Sequence, residues 1–135
     1  VTPSDANAIA PGKRMLSSMT PVVVLRGGKP WLVLGSPGGP RIISTVLNIL
    51  LDVRDHGLTL EQAVASPRFH DQWQPDVIMH EPGAFAADVK EYLRQMGHVL
   101  RERPPWSNAQ CIEIDAGGMR HGVSDPRAAG AAMGY

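Results

Sequence analysis

The sequence predicts a mixed α/β (α+β) fold in which a short-stranded sheet is sandwiched between layers, and three observations carry that expectation. Residues 22–25 and 31–34 are β-branched, apolar and separated by Arg26-Gly27-Gly28-Lys29, which supplies the glycines of a tight hairpin turn. Both runs are continuous rather than alternating in hydrophobicity, the pattern of strands covered on both faces. Residues 41–56 repeat apolar side chains with a helical period, and the chain has room for a real core at 135 residues.

Composition excludes several function classes. Thirteen basic and thirteen acidic residues cancel, and no basic cluster is interleaved with aromatics, so neither nucleic acid nor an anionic membrane surface is an expected partner. No apolar run approaches the roughly 20 residues that cross a bilayer. The lone Cys111 rules out an internal disulfide framework, and its setting, Gln110-Cys111-Ile112-Glu113-Ile114, reads as a small apolar strand residue. The five histidines show no metal-ligand spacing, and no metal site is expected.

In chain order, residues 1–14 have no period of either 2 or 3.6 and read as a leading loop, which hints at native sequence before Val1. Thr2 is a formal candidate for an N-terminal nucleophile, but Val1 precedes it and a loop role accounts for it. The Ser17-Ser18 pair precedes the first strand, where it can serve as an edge hydroxyl pair or bind a ligand.

After the hairpin comes Gly35-Ser36-Pro37-Gly38-Gly39-Pro40. Pro37-Gly38 suits the centre of a type II turn, and Pro40 suits the first turn of a helix. The N–H groups of Gly38 and Gly39 then lie unobstructed near a helix N-terminus, the chemistry of an anion or oxyanion site. An ordinary strand-to-helix turn using glycine only for its dihedrals fits the same residues. P-loop and dinucleotide fingerprints do not.

The helix over 41–56 presents a broad apolar face, with Arg41, Ser44, Thr45, Asn48, Asp52 and Asp55 on a polar stripe. Thr59-Leu60-Glu61-Gln62 has capping-box spacing for a second, short helix through Ala65, and Ser66-Pro67 ends it. Residues 68–70 and 77–80 read as short extended pieces. A third helix spans 87–95, with Val89, Tyr92, Leu93 and Met96 on one side, and strands follow at 99–101, 109–114 and 119–123. His70-Asp71 invites an acid/base reading, although neighbours on a strand point to opposite faces. No G-x-S-x-G elbow supports a Ser/His/Asp triad.

Several motifs occurring in order carry a resemblance that covers essentially the whole chain. Leu16-Ser17-Ser18-Met19-Thr20-Pro21, the hairpin, Gly35-Ser36-Pro37-Gly38-Gly39, Pro67-Arg68-Phe69-His70 and Ser124-Asp125-Pro126-Arg127 near Gly134-Tyr135 resemble the small subunit of γ-glutamyltranspeptidases. Asp5-Ala6-Asn7-Ala8 and Lys13-Arg14 fit the same register.

The resemblance implies an N-terminal-nucleophile hydrolase with an αββα sandwich, a mainly antiparallel central sheet covered by helices. It also implies a self-cleaving precursor, whose newly exposed threonine attacks a γ-glutamyl amide such as that of glutathione to give an acyl-enzyme that water or an amine releases. By position, Ser17 and Ser18 would bind the α-carboxylate, and the N–H groups of Gly38 and Gly39 would stabilise the oxyanion. No cofactor is implied. The threonine and the acidic residue that holds the α-amino group would lie upstream of Val1.

The expectation is therefore a C-terminal portion of a small subunit, inactive alone, whose partners are the upstream segment and the large subunit of the same precursor. The family resemblance also points to a periplasmic or extracellular location. Relatives that act on glutaryl side chains leave the acyl group open. Two other readings are a non-catalytic module that binds small carboxylates, and an assembly fragment with open strand edges and a tendency to oligomerise.

Overall fold

The computed structural model describes residues 4–134. Thr2 lies outside them. A single 3-10 turn at Asp5–Asn7 interrupts the leading loop, and among the described residues no further regular structure occurs before β1 (Val22–Arg26).

β1 pairs antiparallel with β2 (Lys29–Gly35) across the glycine turn, as the hairpin signal predicts, with a register irregularity at Val24/Leu25. β2 also pairs antiparallel with β6 (Gln110–Ile114), which pairs antiparallel with β7 (Arg120–Ser124). The resulting sheet has the order β1-β2-β6-β7. A second sheet, β3-β4-β5, joins β3 (Phe69–His70) antiparallel to β4 (Ile78–His80) and β4 parallel to β5 (Leu100–Glu102). The parallel pair needs a crossover, and α3 (Ala87–Gln95) provides it.

α1 (Arg41–Arg54) and α2 (Leu60–Ala65) cover one face of the four-stranded sheet. The register places Val22, Leu34, Cys111 and Val123 in one row across the four strands, and this row faces the helices. Ile42, Thr45, Val46 and Ile49 of α1 and Leu60, Ala63 and Val64 of α2 complete the core on that side. Their spacing is that of a single helical stripe. α2 begins with the predicted capping box: Thr59 Oγ1 accepts from Gln62 N–H, and Gln62 Oε1 accepts from Thr59 N–H at 3.0 Å.

Three expectations change. Thr45, placed on the polar stripe of α1, is fully buried, because it lies beside Ile49 at the edge of the core-facing stripe, about 40° from it round the helix. The broad apolar face of α1 is only partly used, leaving Ile43 and Leu47 about half exposed. The sheet is covered on one face only among the described residues: Val23, Val33 and Ile112 align on the opposite face, with Val23 60% and Ile112 38% exposed. Continuity of apolar residues marked strands able to be buried twice, but the sequence does not say what buries the second face. α3 likewise keeps Val89, Tyr92 and Met96 exposed, and only Leu93 is half-buried.

Candidate functional site

Residues 13–21 run in irregular conformation towards β1, bringing Ser17 and Ser18 alongside the start of α1. Ser17 Oγ accepts from Met19 N–H at 3.2 Å, and the Ser18 carbonyl accepts from the Thr20 hydroxyl at 2.9 Å. Both serines line an open cavity of about 490 Å³ whose other walls include Pro40, Ser44, Leu47 and His70.

The glycine turn supplies the link to α1. Gly38 has φ 140° and Gly39 φ 59°, a region that side chains with a Cβ rarely adopt. Pro40 follows in helical geometry (φ −58°, ψ −27°) as the N-cap of α1. The carbonyls of Gly38 and Gly39 accept from Arg41 N–H (3.3 Å) and Ile42 N–H (3.1 Å). Neither glycine N–H donates to a described residue, so both remain available beside the positive end of the helix.

Behind the cavity, His70 is 3% exposed and held at both ring nitrogens. Its Nδ1 lies 2.8 Å from Ser44 Oγ and its Nε2 lies 3.0 Å from Gln72 Oε1. Gln72 Nε2 donates to the Gln74 carbonyl at 2.7 Å, so Oε1 faces the ring and accepts from Nε2–H, while Ser44 Oγ, beside Nδ1, also donates to the Arg41 carbonyl at 3.1 Å. Asp71 is not in this chain of contacts; its carboxylate accepts from Trp73 N–H. The His70-Asp71 adjacency therefore assembles no acid/base pair, and Ser44 and Gln72 are the partners instead.

The two arginine motifs converge on a buried four-charge cluster. Arg68 Nη2 donates to Asp125 Oδ2 at 2.6 Å, while Arg127 pairs with both Glu81 and Asp125. The cluster also holds a loop: Glu81 Oε1 accepts from Trp106 N–H, the Trp106 carbonyl accepts from Arg68 Nη1, and Asp125 Oδ2 accepts from Ala109 N–H.

Burial opposes the charge on Asp125 and Glu81. At Asp125 the donors, led by Arg127 N–H and the Arg68 side chain, outweigh it; at Glu81 Arg127 and the Trp106 N–H do so. Both carboxyls lie below their ordinary range. Burial also opposes the Arg127 charge, but its hydrogen bonds to Glu81 and Asp125 win and raise its pKa. Arg68 is pulled down by burial despite its bond to Asp125, so the two ends of that pair point in opposite senses. The carboxylate side is the informative one, because a guanidinium stays protonated at any accessible pH.

Between the pinned ends of this loop sits Ser107, in left-handed conformation at φ 67°. Its Oγ is buried without a hydrogen-bond partner among the described residues, and a Cβ built on Gly38 would lie 2.5 Å from it. Arg41 at the start of α1 reaches over the Trp106 ring, 5.5 Å from its centroid. Cys111 is 3% exposed in the core, and burial pushes its thiol up to about 11, so it is the apolar strand residue expected rather than a nucleophile. Ser107, Ser44 and Gln72 carry no sequence motif, and Arg68, Asp125 and Arg127 stand in motifs that carry the family resemblance without indicating a charge cluster.

A family model described as gamma-glutamyltranspeptidase matches residues 1–135. The glutathione hydrolase proenzyme of Escherichia coli (strain K12) is 45% identical over 123 residues, covering 91% of this chain and 21% of the relative. That of Pseudomonas aeruginosa is 44% identical, covering 98% and 24%. The chain thus spans between a fifth and a quarter of these curated relatives. A mutant Helicobacter pylori gamma-glutamyltranspeptidase superposes with TM-score 0.87 at 42% identity, over 95% of this chain and 70% of the other. The Pseudomonas nitroreducens gamma-glutamyltranspeptidase complexed with L-DON gives the same score and identity over 100% and 71%. With sequence and fold agreeing along its whole length, the chain belongs to the gamma-glutamyltranspeptidase family.

Proposed function

We propose that this chain supplies the carboxylate site and the oxyanion donors of an enzyme that cleaves γ-glutamyl amides such as glutathione, and that the nucleophilic threonine comes from outside it. The observation that carries this reading is the cavity in which Ser17 and Ser18 meet Pro40 and the first turn of α1, Pro40 directly following two glycines whose N–H groups have no partner among the described residues. Ser17 and Ser18 hold the α-carboxylate of the γ-glutamyl group. The threonine hydroxyl oxygen adds to the γ-carbonyl, whose oxygen takes up the electron pair and is stabilised by Gly38 and Gly39 N–H; the C–N bond then breaks, the amine departs with the proton given up by the hydroxyl, and an acyl-enzyme remains. Water or an acceptor amine then releases the acyl group.

In this reading the chain is the C-terminal portion of a small subunit, works with an upstream segment and a large subunit of one precursor, and acts in the periplasm or outside the cell. The names of its relatives, glutathione hydrolase proenzymes, support the substrate class and the precursor.

The purified chain should release no chromophore from a γ-glutamyl anilide, whereas the full-length protein that carries it should. In the latter, Gly39→Ala keeps the backbone N–H but disfavours the φ of 59° that aims it, and should lower kcat by up to about tenfold. Turnover by the chain alone, abolished by a substitution within it, overturns the proposal.

A further inference from the structure

We propose that Ser107 is a positioning residue for the Gly38–Gly39 turn, its hydroxyl occupying the side-chain space of Gly38 and holding that turn in its donor-presenting conformation. The inference rests on the reading of Gly38 and Gly39 as oxyanion donors.

Three independent features single Ser107 out. It is one of two non-glycine residues with positive φ among the described residues, the other being the exposed Trp73. A strained backbone persists only where its surroundings over-determine it, and here they do. Trp106 is gripped at its N–H by Glu81 and at its carbonyl by Arg68, and Ala109 N–H is gripped by Asp125. The hydroxyl has no hydrogen-bond partner among the described residues although it is buried, so hydrogen bonding does not explain its position.

What the hydroxyl does have is a steric counterpart. A Cβ on Gly38 would meet Ser107 Oγ at 2.5 Å and Ser107 Cβ at 3.6 Å, whereas a Cβ on Gly39 would meet nothing within 4 Å. The first distance is a clash and the second an ordinary contact. The oxygen atom alone therefore closes the space beside Gly38. Without it, Gly38 can swing from φ 140° towards the vacated side and carry its N–H away from the oxyanion. The charge cluster fixes the loop, the loop fixes Ser107, and Ser107 fixes the turn.

The test uses the mature full-length protein that contains this chain, with a γ-glutamyl anilide as donor substrate. Ser107→Ala should lower kcat about tenfold, less than outright loss of a donor, while KM for the donor changes less than twofold. Ser107→Gly should do the same to kcat while keeping or raising Tm, because glycine relaxes the left-handed backbone. A merely structural serine would not lose activity while stability holds. Gly38→Ala should cost more than either, and Gly38→Ala with Ser107→Ala should be no slower than Gly38→Ala alone, since removing the oxygen removes the clash.

Unchanged kcat in both Ser107 variants, with Gly38→Ala impaired, overturns the role of Ser107 and leaves the oxyanion reading standing. Unchanged kcat in Gly38→Ala, whose Cβ cannot keep φ 140° beside Ser107, overturns the oxyanion reading itself. Multiplicative losses in the double variant also overturn the proposal.

Discussion

Asp125 takes four hydrogen bonds on two oxygens: Oδ2 accepts from Arg68 Nη2 and Ala109 N–H, and Oδ1 from Arg127 N–H and Arg127 Nη1. Removing its charge leaves Arg68, only 2% exposed, as an uncompensated buried cation. Asp125→Ala should therefore cost about 3–5 kcal/mol in denaturant unfolding, as breaking one side of a buried pair does. The same geometry sets a pH dependence. Asp125 and Glu81 have depressed pKa values when folded, so the unfolded chain binds more protons as the medium acidifies. Their contribution is complete above the unfolded carboxylate range of about pH 4 and is lost as pH falls through the lower folded values. An acid transition equally steep in Asp125→Asn would show that the cluster is not its cause.

At this scale the sequence was least informative. The charge cluster joins Arg68 to Asp125 across 57 positions, and no local pattern encodes such a meeting. Ser107 is similarly silent, because its significance is a distance to Gly38 that only the fold creates.

Elements were far more legible, since their signals are local. The hairpin glycines, the helical period of α1 and the Thr59–Gln62 capping box all appear where the residues placed them. Strand ends moved by a residue or so: β5 starts at Leu100 and β6 at Gln110, each one residue later than the apolar runs predict. Burial was the part that periodicity could not decide, as Thr45 and the exposed Ile43 illustrate on the same helix. The capping box gives a direct test at this scale. α2 has six residues, too few to be stable without its ends satisfied, and it buries Leu60, Ala63 and Val64 against the sheet. Thr59→Ala removes the acceptor for Gln62 N–H and should destabilise the chain by about 1 kcal/mol, read as a fall in Tm. Thr59→Ser keeps the acceptor and should lose little. Equal losses in the two variants would assign the effect to the methyl group rather than the cap.

For the molecule as a whole, the unequal faces of the four-stranded sheet have a measurable consequence. One face is sealed by α1 and α2; the other presents Val23 and Ile112 with Val33 between them, and β1 is an edge strand whose outer backbone groups have no strand partner among the described residues. An open apolar row beside an unpaired edge favours association of the purified chain with itself. Val23→Lys tests both features at once, because it places a charge in the row and on the edge strand. Val23 is already 60% exposed, so the substitution should alter unfolding stability by no more than about 0.5 kcal/mol. Sedimentation over a concentration series should show the unmodified chain associating and the variant shifted towards monomer, with thermal unfolding nearly unchanged. A chain that stays monomeric throughout the series would show that this face carries no association; a large loss of stability in the variant would show instead that Val23 is packed more tightly than its exposure indicates.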